Sequence, residues 1–178
     1  MKNFGYILRL TLVLFLITAV VAGLLGAVNL LTKDKIAENT KIKAESAMRE
    51  VMDAESYESM PLSEKNKADG ITEAYKCENG YIVRLNAMGF GGAIDMMVGI
   101  DFDGNVTGIS IISHAETASL GANCTREDFR SQFVGANDTL SVSKDGGSID
   151  ALTGATVTSR AVTNGVNVAL AFVKEVQG

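Results

Sequence analysis

The N-terminal region contains a long apolar segment. Residues 10–32 number 23 and include no Asp, Glu, Lys or Arg, and as a helix they would measure roughly 35 Å. The hydrocarbon core of a bilayer is about 30 Å thick, whereas the apolar part of a cleaved signal peptide is usually about 7–15 residues long. The pattern therefore predicts one uncleaved transmembrane anchor. The alternative is a signal peptide whose basic start is formed by Lys2 and Arg9.

A second apolar pattern follows at helical spacing. It is formed by Ile36, Ala44, Ala47, Met48 and Val51. This segment is either a stalk that continues the anchor or an amphipathic helix packed on the core of a soluble domain, and the pattern is compatible with both. Residues 56–70 are polar and contain the only proline, which predicts a loop.

Two β-hairpins are predicted next. Segments 74–77 and 81–87 flank Glu78-Asn-Gly80, and Asn-Gly between two short strands is a strong hairpin signal. In the second hairpin, Asp103-Gly-Asn105 connects one strand to another over residues 106–113. The first strand of this pair is predicted to be half-buried because its apolar residues alternate with their neighbours. These are Ile94, Met96, Val98, Ile100 and Phe102.

The remaining elements are helices and one short strand. Thr125-Arg-Glu-Asp128 resembles a capping box, which predicts a helix that ends at Phe133 before Gly135. Residues 139–143 predict one more strand. The last helix has apolar residues on one face, namely Val162, Val166, Ala169, Leu170 and Val173.

Hairpins combined with separate helices are typical of an α+β fold. We therefore expect antiparallel hairpins with packed helices, preceded by a single N-terminal transmembrane helix. The predicted organisation is an anchor over residues 1–32, a stalk helix and loop over residues 33–70, and a domain over residues 71–178.

The most informative chemistry lies at the start of the last helix. The segment Asp150-Ala-Leu-Thr-Gly-Ala-Thr-Val-Thr-Ser159 places four hydroxyl side chains at or just before the helix N-terminus. Unpaired N–H groups and a partial positive charge at such a position suit a phosphate, and Gly154 with Ala155 allows close approach of the backbone. Thr and Ser are also ordinary helix caps, so the pattern alone leaves both interpretations open.

Charge and cysteine spacing exclude several functions. Only Lys2 and Arg9 precede the anchor, and residues 33–178 contain 14 basic and 21 acidic residues, a net charge of −7. No basic cluster predicts a nucleic-acid partner. Cys77 and Cys124 have no CxxC spacing and the chain has a single histidine, so no metal site is expected. A disulfide and two buried thiols are both compatible with the sequence.

Other candidate motifs are weak. His114 is the only histidine and no nucleophile-elbow pattern accompanies it, so a hydrogen-bonded loop histidine is expected rather than a hydrolase triad. Asp101 and Asp103 lack the rest of a calcium loop and are expected to form a turn. No G-x-G-x-x-G follows a predicted strand, so the chain is not expected to bind NAD.

Several segments occur in an order that resembles the covalent FMN-binding domain family. They are Gly89-Phe-Gly-Gly92, Val98-Gly-Ile-Asp101 with Asp103-Gly104, His114-Ala-Glu-Thr117 with Leu120-Gly121, Gln132-Phe-Val-Gly135, and Asp150-Ala-Leu-Thr-Gly-Ala-Thr156 with Thr158-Ser159. With its N-terminal anchor, the chain is similar to the G subunits of Rnf ion-translocating electron-transport complexes. The C subunits of sodium-translocating NADH:quinone reductases are near relatives of that group.

The resemblance implies a covalent cofactor. FMN would be attached through its phosphate to Thr156 by a flavin transferase that uses FAD as donor. The phosphate and ribityl end would be lined by Thr153, Gly154, Ala155, Val157 and Thr158. The flavin-facing loop would contain Glu116, Thr117, Leu120 and Gly121. The family commonly has Pro-Gly where this chain has Ala118-Ser119.

The resemblance also implies a function. The chain would be an electron-relay subunit of a membrane-bound ferredoxin:NAD oxidoreductase complex coupled to sodium or proton translocation, with no activity when isolated. Its partners would be other membrane subunits, especially a second flavin-bearing one. The domain would lie on the extracytoplasmic face of the cell membrane, although four lysines follow the anchor and favour the cytoplasm. The alternatives are an extracytoplasmic flavin reductase and a non-catalytic ligand-binding domain.

Overall fold

The computed structural model describes residues 4–178. Lys2, part of the signal-peptide alternative, lies outside them. The helices are α1 (Phe4–Val51), α2 (Glu64–Ala68), α3 (Glu127–Arg130) and α4 (Thr156–Gln177). The strands are β1 (Glu58–Ser59), β2 (Ile71–Cys77), β3 (Gly80–Met88), β4 (Ala93–Asp101) and β5 (Val106–Ser113). Single turns of 3-10 helix occupy Gly121–Thr125, Ser131–Phe133 and Ser143–Asp145.

The chain forms two compact units, one that ends at Ile42 and one from Lys43 to Gly178. In the first unit, α1 has an 18-residue stretch with a mean hydropathy of 2.6, and none of that stretch is buried. Apolar side chains such as Leu31, which is 82% exposed, therefore cover its surface. The helix is long and apolar enough to cross a membrane.

The second unit contains a five-stranded antiparallel sheet in which the strands pair in chain order, β1 to β5. Both predicted hairpins are present. Cys77 pairs with Gly80 across the first turn. The φ of Gly80 is 152°, and a Cβ there would lie 2.8 Å from Asp101 Cα, which explains why glycine ends this turn.

Strand β4 is buried on both faces, so the prediction of a half-buried strand is wrong. Met96 and Met97 point to opposite faces, and each has no exposed surface. Met96 belongs to the cluster that includes Val162 and Val166 of α4. Met97 packs with a second cluster that includes Val51, at the end of α1. Residues at the end of α1 thus cover a face that the local pattern left to solvent.

The two cysteines lie in different clusters. Cys77 belongs to the cluster that contains Met97, and Cys124 belongs to the cluster that contains Met96. Both are free and buried. Because the sheet separates the two clusters, the disulfide alternative is excluded and two buried thiols are present.

Four local predictions are wrong. Residues 56–70, predicted to form a loop, contain strand β1 and the short helix α2. Thr125 does not cap a helix, because its hydroxyl donates to Ala122 O within the preceding 3-10 turn, and α3 begins after Arg126 without a side-chain cap. Residues 139–143 contain no strand; Val142 forms only an isolated parallel bridge with Ile149. Phe102 lies outside β4 and is 47% exposed.

Helix α4 agrees with its predicted apolar face. All five apolar residues of that face are buried, and they pack on the sheet face that contains Met96. Gly165 allows the helix to approach closely, since a Cβ at this position would lie 2.9 Å from Met96 Sδ and 3.0 Å from Leu85 Cδ1.

Candidate functional site

A cavity of about 410 Å³ lies at the N-terminus of α4. This volume falls within the range of small-molecule sites, roughly 300–1,000 Å³. Its lining comprises Phe90, Glu116, Thr117, Leu120, Gly121, Gly154, Ala155, Thr156, Val157 and Thr158. The structure thus places nine of the ten residues of the predicted site around one cavity. The tenth, Thr153, lies on an adjacent cavity that Leu120 also borders.

Glu116 connects three segments of the site. Its side chain is buried, with 8% of the residue exposed. Oε1 accepts a hydrogen bond of 2.9 Å from Gly91 N, in the turn between β3 and β4. Oε2 accepts one of 2.5 Å from Thr158 Oγ1, on α4. The carboxylate therefore fixes the 116–121 loop against the turn and the helix.

Gly121 allows these groups to meet. A Cβ at this position would lie 2.7 Å from Thr158 Oγ1 and would also overlap Glu116 Oε2. Any larger residue would therefore separate the carboxylate from the hydroxyl group. This is the physical reason for glycine at the end of the His114–Gly121 segment.

Thr156 is the first residue of α4 and is half-buried. The residue at the cap position is Ala155, and no side chain caps the helix, so the interpretation of the hydroxyls as ordinary caps is wrong. The uncapped first turn keeps its N–H groups available for an anion. Thr156 Oγ1 instead accepts a hydrogen bond of 2.8 Å from Lys144 Nζ.

Ser159 holds the loop that precedes the helix. Its Oγ accepts a hydrogen bond of 2.9 Å from Leu152 N and donates one of 3.0 Å to Ala155 O. Gly154 has a φ of 75°, in the left-handed region that favours glycine. The backbone before Thr156 is therefore fixed by a hydroxyl that is itself fully buried.

Apolar side chains form an exposed wall of the cavity. Phe90, Leu120 and Val157 are 74%, 43% and 48% exposed, although all three border the cavity. A planar aromatic ligand would cover this surface and gain free energy from its burial. Phe90 was not among the predicted site residues, but the Gly-Phe-Gly-Gly segment that contains it was the available signal.

Ser119 adopts an unusual backbone conformation in the 116–121 loop. Its φ is 63°, and it is the only non-glycine residue with positive φ in the described part of the chain. This is the second position of Ala118-Ser119, where the resemblance implies Pro-Gly. A side chain in this region costs roughly 1–2 kcal/mol, so the loop holds a conformation that glycine would adopt without strain.

Cys124 lies in the 3-10 turn that follows the same loop and is buried. Burial, followed by the negative charge of Glu116, raises the pKa of the Cys124 thiol to about 11. The group is therefore a neutral thiol near pH 7, and not a nucleophile.

His114 lies away from the cavity, in a second depression lined also by Glu50 and Ser110. Its Nδ1 accepts a hydrogen bond of 3.2 Å from Glu116 N. This agrees with the prediction of a hydrogen-bonded loop histidine and shows that it orients the start of the 116–121 loop.

Two family models match the chain. Residues 89–171 match the FMN-binding domain, and residues 1–51 match the RnfG N-terminal region. The G subunit of the proton-translocating ferredoxin:NAD(+) oxidoreductase complex of Clostridium ljungdahlii is 34% identical over 165 residues, which cover 86% of this chain and 85% of that protein. The chain belongs to the RnfG family. The predicted family membership is thereby confirmed, and the sheet and helices described above confirm the predicted α+β fold.

Another relative agrees with this assignment. The G subunit of the Na(+)-translocating ferredoxin:NAD(+) oxidoreductase complex of Acetobacterium woodii is 33% identical over 187 residues, with 92% of this chain and 90% of that protein covered. Among solved structures, the C subunit of the Na(+)-translocating NADH-quinone reductase of Parabacteroides distasonis has a TM-score of 0.49 and 24% identity, and the match covers 61% of this chain and 62% of that one. The cavity lies within the FMN-binding domain that this RnfG-family chain contains.

Proposed function

We propose that this protein is an electron-relay subunit of a membrane-bound ferredoxin:NAD oxidoreductase complex coupled to ion translocation. In this proposal it carries FMN covalently attached through the phosphate to Thr156. The proposal depends most on one observation: Thr156 is the first residue of the uncapped helix α4 and lines the cavity. Related chains of the RnfG family are named as subunits of such complexes.

The residues present fit the cofactor. The first turn of α4 provides unpaired N–H groups and a partial positive charge for the phosphate. The wall formed by Phe90, Leu120 and Val157 provides apolar surface for the ring system. When bound, a flavin accepts or donates one or two electrons, while the protein places it and adjusts its environment.

A covalent bond has a physical advantage for a domain outside the cytoplasm. A non-covalent site stays occupied only while the free ligand exceeds its dissociation constant, and free FMN is expected to be scarce there. A covalent bond removes this dependence. The anchor keeps the cofactor near other membrane subunits and raises its effective concentration there.

The proposal includes an orientation and partners. The domain lies on the extracytoplasmic face of the cell membrane, against the count of lysines after the anchor; large domains translocate regardless of flanking charge. A second flavin-bearing membrane subunit exchanges electrons with the FMN, and a flavin transferase attaches it. We expect no turnover from the isolated chain. Accessibility of a single engineered cysteine to an impermeant reagent in whole cells tests the orientation.

The attachment is tested by denaturing electrophoresis under ultraviolet light. The full chain is produced together with the flavin transferase, and fluorescence that survives denaturation shows a covalent flavin. The variant that tests the site is Thr156→Val, which lacks the hydroxyl group and should not be fluorescent. Thr153→Val is its matched control, because Thr153 is a hydroxyl residue of the same segment that lies outside the cavity. We expect Thr153→Val to remain fluorescent, and a non-fluorescent wild-type chain would contradict the proposal.

Purification of the native protein separates the other functions. Recovery with several membrane subunits supports the electron relay. A chain that is recovered alone and reduces a small molecule would show a flavin reductase. A chain that holds a ligand only non-covalently would show a binding domain.

A further inference from the structure

The turn Ser143–Asp145 lies beside the first residue of α4. Lys144 Nζ donates a hydrogen bond of 2.8 Å to Thr156 Oγ1. Across residues 4–178, no other side chain forms a hydrogen bond with this hydroxyl. An ammonium group thus lies at the oxygen that the proposed function esterifies.

The backbone on both sides of Lys144 is fixed by buried neighbours. Val142 and Ile149 form a parallel bridge, and each is 1% exposed. Ser143 N donates a hydrogen bond of 2.7 Å to Ile149 O. The turn is therefore attached to the core, and Lys144 extends from a defined backbone position.

A second cation near this turn, Arg160, already forms an ion pair with a carboxylate. Arg160, one turn after Thr156, forms two hydrogen bonds with the Asp145 carboxylate, of 2.7 Å and 2.6 Å. This pair also joins the turn to α4. Lys144 forms no ion pair within the described part of the chain. Of these two cations, Lys144 is therefore the one whose charge is available to an anion at Thr156.

We propose that Lys144 binds the cofactor phosphate at Thr156 and accelerates its attachment. This inference rests on the proposed function. In the attachment, Thr156 Oγ forms a bond to the FMN phosphorus of FAD, the P–O bond of the diphosphate breaks, and AMP leaves with its electron pair. The hydroxyl proton passes to a base of the transferase, since Lys144 acts as a donor here and not as a base.

Electrostatics explains both parts of this role. The diphosphate of the donor and the phosphodiester of the product are anions, and an ammonium group stabilises each by a charge-assisted hydrogen bond. The α4 dipole acts in the same direction. A lysine suits the task because its flexible stem and three rotatable donors can follow the anion from the reactant to the product.

The experiment uses the full chain in detergent with the transferase and FAD. Wild type, Lys144→Gln and Lys144→Arg are compared with Lys76→Gln. This control removes an exposed lysine near the turn between β2 and β3, at the end of β3 that is opposite to the cavity. The initial rate of attachment is followed by in-gel fluorescence. The 31P resonance of each loaded protein is then recorded. Circular dichroism of the unloaded chains reports folding, and the salt dependence of the wild-type rate gives a second measure that needs no variant.

We expect Lys144→Gln to lower the attachment rate about fivefold, the size of an exposed charge interaction. Lys144→Arg should restore most of the rate, and Lys76→Gln should leave it unchanged. The 31P resonance should move in Lys144→Gln alone, and salt should slow the wild-type reaction.

Two results would overturn the inference. One is a Lys144→Gln rate equal to that of wild type. The other is a lower rate with an unchanged 31P resonance. This result would mean that Lys144 contacts the transferase and does not bind the phosphate. A wild-type chain that is never labelled at Thr156 would refute the proposed function itself, so the two failures are distinguishable.

Discussion

Thr156 and Thr158 lie two residues apart on the first turn of α4, yet their hydroxyl groups have different surroundings. Thr158 is 1% exposed and donates to the buried carboxylate of Glu116. Thr156 is half-buried, and its oxygen contacts the exposed Lys144. One hydroxyl therefore holds the cavity wall together, while the other remains accessible to an external reagent. Hydroxyl residues at this helix terminus are thus not interchangeable.

The largest effect expected from this comparison concerns Thr156. Thr156→Val should abolish the covalent fluorescence completely, because valine keeps the shape of the side chain without the nucleophilic oxygen. The free energy of unfolding should change by less than about 0.5 kcal/mol, as is usual for a site without buried partners. Electrophoresis and urea unfolding of the full chain in detergent provide the two measurements. A fluorescent Thr156→Val chain would show that the flavin is attached elsewhere.

Thr158→Val should lower the stability of the chain and leave the attachment of FMN intact. It removes the donor to Glu116 Oε2, and a buried acceptor without a partner costs about 2 kcal/mol. The free energy of unfolding should fall by this amount, while the chain still becomes labelled at Thr156. If Thr158→Val were as stable as Thr156→Val, the proposed difference between the two hydroxyls would be wrong.

The pKa of the Cys124 thiol reports its burial and the nearby charge of Glu116. Its pKa is raised from 9.0 to about 11, so between these values the unfolded chain releases a proton that the folded chain retains. Stability therefore falls as the pH rises through this window, by about 1.3 kcal/mol from pH 8 to pH 10. Unfolding measured at several pH values should show a smaller decrease for Cys124→Ala. Parallel curves for the two proteins would show that the thiol titrates normally.

The smallest effect concerns the strained loop. Ser119→Gly should raise the free energy of unfolding by about 1 kcal/mol, because glycine adopts the φ of 63° without strain. Ser119→Ala keeps the Cβ and serves as the control, for which no gain is expected. Equal unfolding curves for both variants would mean that Ser119 carries no backbone strain.

Sequence patterns predicted those elements that depend on neighbouring residues. Asn79-Gly80 specified the first hairpin, and the apolar residues of α4 specified its buried face. The capping box failed because the Thr125 hydroxyl is used within its own 3-10 turn. The burial of Met97 depends on Val51 at the end of α1, which lies 46 positions earlier in the sequence. Local periodicity does not report a contact between residues so far apart.

The same difference between local and distant contacts applies to the site. Nine of the ten predicted residues lie around one cavity because two short segments carry them; their roles stay a prediction. Lys144 comes from a separate turn whose position depends on the bridge between Val142 and Ile149. Phe90 comes from the turn after β3. Neither has a spacing that links it to Thr156, so only the folded chain brings these residues together.

Peptide mapping by mass spectrometry of the mature protein shows whether FMN is attached to Thr156. The protein is isolated from cells that contain the flavin transferase and is digested, and the peptide that spans residues 145–160 is sequenced by fragmentation. We expect a mass increment of one FMN minus one water, located on Thr156. An unmodified Thr156 in fully matured protein would contradict the proposed attachment.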